Sequence, residues 1–333
     1  MKILNMISYK LRPVNKGEIP VGIIGTGGWG KNFVRELSKN KNFDVKVCYD
    51  INKKLLASQS KKYKFKIADS YYSLLHEYNI NSVFIILPNH LHKEVCLEAA
   101  NAGVNIFLEK PIANNYLDGK DIVDKCNEKN IKLCVGHSMR KSSNYLRLKE
   151  IISKNMLGVI HLVEANRSIN RAESIKEFDW RNKREFCPNL PLIQLGIHYI
   201  DILLDLFGEP TEINSLALDN VSDSKNTDAT ICTMKFKNSI LAYLGNSYST
   251  NNTDILRIYG TKGIATLTNS KLVIFNETNK DLTYNKPAKE STIKNEIIEF
   301  YNYISNNIDI DIDGDNALKV IRTFERISQI NSK

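Results

Sequence analysis

None of the six cysteines, Cys48, Cys96, Cys126, Cys134, Cys187 and Cys232, falls in a C-x-x-C pair. Several sit in apolar runs, where a thiol behaves as a small hydrophobe. That pattern argues against a disulfide framework and against a zinc site, so no bound metal is expected. No stretch approaches the roughly 18 apolar residues of a membrane span. The start, Met1 to Lys10, has neither a long apolar region nor a small-residue cleavage site, unlike a signal peptide. RNP, zinc-finger and helix-turn-helix patterns are missing, as are internal repeats and low-complexity linkers. The net charge of +9 is spread along the chain, and its one dense basic cluster, Lys61 to Lys66, reads as a solvated surface. These absences exclude a nucleic-acid partner and a membrane protein, and point to a cytoplasmic enzyme or binding protein.

What is present is a two-domain length, 333 residues, with 42% hydrophobic and 25% charged residues. The stretch Glu109-Lys110-Pro111 follows the apolar run Val104–Leu108, which reads as a buried parallel strand. A carboxylate and an ammonium at the carboxyl end of such a strand lie where open α/β sheets bind ligands. The preceding chain supports this placement. Val21–Ile24 is a short strand, Gly25-Thr26-Gly27-Gly28-Trp29-Gly30 follows at once, and Lys31–Leu37 has a helical pattern. That is G-x-G-x-x-G between strand and helix, a dinucleotide-binding context. Gly25 permits the turn, Gly27 the approach of a pyrophosphate, and Gly30 the close helix, whose N-terminus faces the phosphates. A second strand, Phe43–Tyr49, ends in Asp50, placed to bind both ribose hydroxyls and to repel a 2′-phosphate. NAD is therefore expected over NADP, with Lys53 and Lys54 close by. The other use of Asp50 is to cap the next helix.

Strands at Phe65–Ile67, Val83–Leu87, Val104–Leu108 and Lys132–Gly136 alternate with helices, one capped by Asn89 and running to Ala102 and one over about 115–129. Strand–helix alternation implies a doubly wound parallel sheet. The expected organisation is an extension over 1–19, a nucleotide-binding domain over 20–139, a second domain over 140–312, and a terminal helix over 313–333. The second domain reads as α+β. A helix at 142–154 precedes strands at 159–168, 212–219, 229–237, 240–249, 254–259, 263–268 and 271–276, whose short turns suit a large, mostly antiparallel open sheet. Between them a helix runs from Pro191 to near Gly208, with Gln194, His198 and Asp201 on one face. Arg140, Trp180 and Arg181 are candidate substrate contacts: arginine pairs with carboxylate or phosphate, and the indole can stack on a sugar. A contact between domains is the other use of each.

The ordered set Gly25–Gly30, Leu87-Pro88-Asn89-His90-Leu91-His92 and Glu109-Lys110-Pro111 resembles the Gfo/Idh/MocA oxidoreductases, over nearly the whole chain from about residue 20. The resemblance implies an N-terminal Rossmann domain, and that Pro88, Asn89 and His92 line the nicotinamide ribose. It also implies that Lys110 lies beside the nicotinamide and the reacting hydroxyl, and that His198 is the histidine of the family's D-x-G-x-H motif. Gln194 stands where the family usually has aspartate. An amide cannot titrate, which puts a Lys–Asp–His arrangement in doubt and leaves Lys110 and His198. The terminal helix is implied to pack back on the nucleotide domain. The open sheet is implied to form a homodimer or homotetramer interface.

The expected activity is hydride transfer between a secondary alcohol of a sugar, nucleotide sugar or inositol and nicotinamide C4. His198, with an ordinary pKa of about 6.5, is expected to take the hydroxyl proton while Lys110 stabilises the oxygen. The reverse assignment stays open. Two rivals are a glycosidase-type enzyme using NAD with no net redox, and a sugar sensor on the same scaffold.

Overall fold

The computed structural model describes residues 18–330, apart from 220, 223, 277 and 278. Nearly all of the expected 1–19 extension lies outside the described residues. In the first half the elements run β1 (Ile19–Ile24), α1 (Gly30–Leu37), β2 (Phe43–Tyr49), α2 (Lys53–Tyr63) and β3 (Lys66–Ile67). They continue with α3 (Tyr71–His76), β4 (Ser82–Ile85), α4 (His92–Asn101), β5 (Asn105–Glu109), α5 (Tyr116–Glu128) and β6 (Leu133–Gly136). The six strands form one parallel sheet in the order β3-β2-β1-β4-β5-β6. The strand order reverses between β1 and β4, so the ligand crevice opens at the carboxyl ends of those strands.

Apolar side chains on successive strand residues point to opposite faces, and both faces are covered. Ile24, Ile85, Ile106 and Leu108 pack with Val95 and Ala99 of α4 and Ile122 of α5. Val21, Ile23, Phe84 and Phe107 pack with Phe33 and Val34 of α1. The expected Asn89 cap differs, and the alternative use of Asp50 as a cap is not taken up. Asn89 opens a short 3-10 turn, Asn89–Leu91, and α4 starts at His92 without a side-chain cap. Asn52, not Asp50, caps α2, its side chain accepting from Leu55 N at 3.1 Å.

The second half begins with α6 (Ser143–Ser153) and β7 (Ile160–Asn170), followed after a long connection by α7 (Ile197–Phe207). Then come β8 (Glu212–Leu218), β9 (Ala229–Lys235), β10 (Leu241–Ser247), β11 (Ser249–Gly260), β12 (Gly263–Thr268), β13 (Lys271–Asn276) and β14 (Asn279–Asn285). They form an eight-stranded sheet in the order β14-β13-β12-β11-β7-β10-β9-β8. Among the described residues, only the β10–β7 pair is parallel. The expected α/β fold class holds: a doubly wound parallel sheet plus an α+β half with a mostly antiparallel sheet. Strand β14 was not foreseen.

Nor was α8 (Thr292–Asn306), which falls inside the stretch assigned to the second domain. It carries Ile293, Ile297 and Phe300 on one face and lays them on the first sheet. Phe300 meets Phe43, Phe84 and Phe107 with ring centroids 5.4–6.3 Å apart. The nucleotide-binding core therefore takes one of its covering helices from beyond residue 290. The terminal helix α9 (Gly314–Ile330) places Val320 and Ile321 in the other core. It also meets the second sheet, where Ser215 of β8 donates to Ile327 O at 2.6 Å. No helix of the described residues is long and apolar enough to cross a membrane.

Candidate active site

The glycine-rich turn has the conformation its sequence demands. Gly25 has φ +90°, and a Cβ there would lie 2.1 Å from Ile86 O. At Gly30 a Cβ would lie 2.0 Å from Gly25 O, so α1 sits directly on the turn. Gly27, by contrast, has no neighbour closer than 3.6 Å from a Cβ position, so the backbone there is not crowded. Asp50 closes one side of the turn. Its Oδ2 accepts from Thr26 N at 2.7 Å and Gly27 N at 2.9 Å, and its Oδ1 accepts from Asn52 N at 2.8 Å. The Thr26 hydroxyl adds a longer contact to Oδ2 at 3.4 Å, while Oδ1 takes a single donor and keeps an acceptor position open. Lys53 is turned to Asp69 O at 3.4 Å and lies over the Tyr49 ring. Trp29 Nε1 donates to Glu109 Oε1 at 2.8 Å, tying the turn to the end of β5.

Leu87, Pro88 and Asn89 follow β4 at the rim of the crevice, and the Asn89 Nδ2 is buried without a partner among the described residues. An orphaned amide donor of this kind suits a bound ribose or carboxamide. His92 lies beneath the crevice, between its two bordering segments. It has no exposed surface. Its Nδ1 lies 2.8 Å from Pro111 O and its Nε2 3.0 Å from Leu87 O. Burial pushes its pKa down to about 4, so the ring is neutral and supplies one donor between those carbonyls. His92 splints the two segments that line the crevice, Leu87 and Pro111.

Lys110 reaches across to the second half. Its Nζ donates to Gln194 O at 2.9 Å. Burial lowers its pKa to about 8, opposed by the Glu109 carboxylate and aided by Arg167. Glu109 is itself raised to about 7 by burial, held back by Lys110 and the Trp29 hydrogen bond.

Gln194 lies in a π-helical turn, Leu192–Gly196, just before α7, a feature frequent at functional sites. Its side-chain Nε2 is 3.6 Å from Cys187 Sγ. Gly196 packs so tightly that a Cβ would lie 2.3 Å from Asn246 Oδ1. His198 follows in the first turn of α7. Its Nδ1 is buried without a partner, which leaves Nε2 for the cleft. Burial, then Arg167, Lys110 and His137, push its pKa well below the ordinary value. Lys110 thus bonds the π-helical turn four residues before His198.

Arg140 is elsewhere. It is buried, and its Nε donates to Asp201 Oδ1 and Oδ2 at 3.0 and 2.9 Å. Its Nη1 donates to Asp205 Oδ1 at 3.2 Å and Asp311 O at 2.9 Å. Its donors are thus committed to groups from α7 and from the segment before α9. Trp180 and Arg181 stack on each other, the guanidinium 4.5 Å from the ring centroid. Asp179 Oδ1 accepts from Arg181 Nη1 at 3.3 Å. Trp180 lies 6.0 Å from His90, which stacks on Phe186 at 4.3 Å. These aromatics press the 171–190 connection onto the ends of the first sheet, beside the cleft.

Two residues went unnoticed in the sequence. His137, directly after β6, is buried with neither ring nitrogen hydrogen-bonded, and its Nδ1 lies 3.7 Å from Asp201 Oδ1. Arg167, on β7, acts electrostatically on both Lys110 and His198. Its signal was legible: it shares the phase of Val163 and Ala165, which are fully buried, and a charge in an inward phase asks for a purpose.

Residues 19–137 match the family model described as oxidoreductase family, NAD-binding Rossmann fold, and residues 145–266 match the GFO/IDH/MocA C-terminal domain. Scyllo-inositol 2-dehydrogenase (NADP(+)) of Bacillus subtilis (strain 168) is 29% identical over 63% of this chain and 58% of its own. 2,7-Anhydro-N-acetylneuraminate hydratase of Escherichia coli (strain K12) is 26% identical over 74% of this chain and 66% of its own. A levoglucosan dehydrogenase solved with NADH and levoglucosan superposes with a TM-score of 0.85 at 20% identity, over 95% of this chain and 97% of that one. The glycine-rich turn, the Glu109–Lys110 strand end and both matched halves agree: the chain belongs to the Gfo/Idh/MocA oxidoreductase family.

Proposed function

We propose that this protein is an NAD-dependent dehydrogenase of a secondary alcohol on a sugar-like ring, with Lys110 as the group that exchanges the hydroxyl proton. The observation that carries this reading is the Lys110 Nζ to Gln194 O hydrogen bond at 2.9 Å, which sets the amine at the turn leading to His198. NAD supplies the hydride acceptor when bound. The chain's own residues position the alcohol and move its proton. A proton acceptor works best with a pKa near the working pH. Lys110, at about 8, meets that condition. His198 is held too far below it, which reverses the order expected from ordinary pKa values. His198 stays neutral and can donate Nε2–H to the same oxygen, stabilising negative charge as the proton leaves. Gln194, an amide, serves through its backbone carbonyl by orienting Lys110.

Asp50 favours NAD over NADP, because a 2′-phosphate would meet its carboxylate. The relative named above as NADP-dependent makes this a point to measure. The open face of the second sheet supports a homodimer or homotetramer. Leu216, Ile231 and Leu241 project from it at 73%, 50% and 52% exposure, and Ile231 pairs with Leu216 across the ladder.

The test is NADH absorbance on a panel of sugars, nucleotide sugars and inositols, with product analysis. Turnover that falls by about 10³-fold in Lys110→Ala, with NAD still bound, supports the assignment. Retained turnover overturns it. A changed sugar with no net NADH would instead assign lyase- or glycosidase-type chemistry, of which the similar hydratase makes a concrete rival. Binding with no chemistry at all would mark a sensor.

A further inference from the structure

Arg167 is a cation without an acidic partner among the described residues. Its Nη1 reaches only the Met139 thioether, at 3.0 Å. Met139 lies in the turn after β6 and Arg167 on β7, so the side chain spans from the second sheet to the strand ends of the first. Its backbone is fixed by a bracket: Asn246 Nδ2 donates to Arg167 O at 3.0 Å, and Gly196 packs against the Asn246 side chain. This sets Arg167 beside the turn that presents Gln194 and His198.

Carboxylates that could neutralise it are engaged elsewhere. Asp254, directly across the ladder from Arg167, points to the Tyr199 hydroxyl at 2.6 Å and makes no ion pair with the guanidinium. Asp179 holds Arg181. Glu109 is buried behind Lys110 and bonded to Trp29. Position 194 carries an amide. The cations acting on His198, Arg167 and Lys110, disfavour its protonation, and Arg181 joins Arg167 in acting so on Lys110. A half-buried guanidinium left without an anion in a cleft already rich in positive charge awaits one.

We propose that Arg167 is an anion subsite of the cleft, and that the sugar accepted here bears a carboxylate or phosphate which Arg167 binds through its fork of N–H donors. This inference rests on the dehydrogenase reading for the identity of the ligand as a sugar.

The experiment uses the full chain saturated with NADH. Calorimetric titration compares each neutral hexose with its uronic acid and its 6-phosphate, in the gluco, galacto and manno series. In parallel, NADH formation from NAD is followed with the same compounds. In at least one series a charged member should bind roughly 10- to 100-fold more tightly than its neutral parent. Whether the acid or the phosphate gains identifies the source of the anion. Arg167→Gln should collapse that ratio, and Arg167→Lys should keep part of it, since charge survives while the fork is lost. The proposal is overturned if neutral parents bind as well as the charged members in every series, or if no charged member binds. A preference that survives Arg167→Gln also overturns it. Failure of the two readings is distinguishable. Charged sugars that bind through Arg167 but yield no NADH sink the dehydrogenase reading alone. NADH from neutral sugars only sinks the anion subsite alone.

Discussion

Arg140 and Arg167 stand on opposite sides of the same domain junction and have opposite fates. Arg140 is enclosed by Asp201, Asp205 and the Asp311 carbonyl, with Tyr145 adding a hydroxyl to Asp205. Arg167 has a thioether and a hydrogen bond through its backbone. Nothing in the residue type separates them. The partner inventory does: a satisfied buried cation holds domains together, and an unsatisfied one at a cleft is held ready for a ligand. The same contrast applies to the two histidines, His92 between two carbonyls and His198 with a free ring edge. Variants on the satisfied side should therefore lower stability first, and variants on the open side should change kinetics first.

The largest effect on the open side is the loss of turnover in Lys110→Ala described above. Its pH profile sharpens the point. In the oxidation direction Lys110 must be unprotonated, so log kcat/KM should rise with pH and level off above about 8. Glu109 raises that pKa, so Glu109→Gln should move the limb to lower pH. A limb near 6.5 that is unmoved by this change would return the proton to His198.

On the satisfied side, Asp201→Ala should cost about 3–5 kcal/mol, because it strands a buried guanidinium. Chemical denaturation at pH 7 measures this, and Arg167→Gln in the same assay should change stability by less than about 1 kcal/mol. Equal losses in both variants would dissolve the comparison.

A third region tests the rule with the opposite charge. Glu296 is fully buried on α8, and neither carboxyl oxygen has a partner. Burial and then the Glu109 carboxylate raise its pKa well above the ordinary value. A carboxyl whose pKa is higher folded than unfolded favours the fold while protonated, and that advantage fades as pH climbs above the unfolded value near 4.5. Glu296→Gln should therefore stabilise the protein by about 1–3 kcal/mol at pH 8 and change little at pH 4.5. Equal effects at both pH values would show that the carboxyl is not held protonated. The smallest expected change is Trp29→Phe, which loses one hydrogen bond to Glu109 and should raise the NADH dissociation constant about 2- to 10-fold, by about 0.5–1.5 kcal/mol. Fluorescence titration of the cofactor reads it.

The elements legible in the sequence were those fixed by local chemistry. Gly25 and Gly30 announce a turn because any side chain there meets backbone, and Val104–Leu108 announces a strand buried on both faces. Asp50 announced itself by position, and its contact with the turn followed. Unreadable were the choices made by residues far apart in the chain. Arg140 looks like a substrate arginine until Asp201 arrives from α7. The bond of His92 to Pro111, nineteen residues on, has no local signal. The π-helical turn at Gln194 has no sequence period of its own, and its Gly196 meets Asn246, fifty residues on. Helix α8 is a different failure: Ile293, Ile297 and Phe300 spell an amphipathic face, and the stretch was simply read together with the strands before it.

That returning helix has a consequence for how the protein is made. Phe84 and Phe107 emerge early in synthesis, yet the ring that covers them, Phe300, emerges near the end. A ribosome building this chain in order holds an unfinished nucleotide-binding layer throughout translation of the second sheet. Shortening the chain before Thr292 would uncover that aromatic surface, so a fragment cut at the apparent end of the first domain should aggregate instead of binding dinucleotide alone.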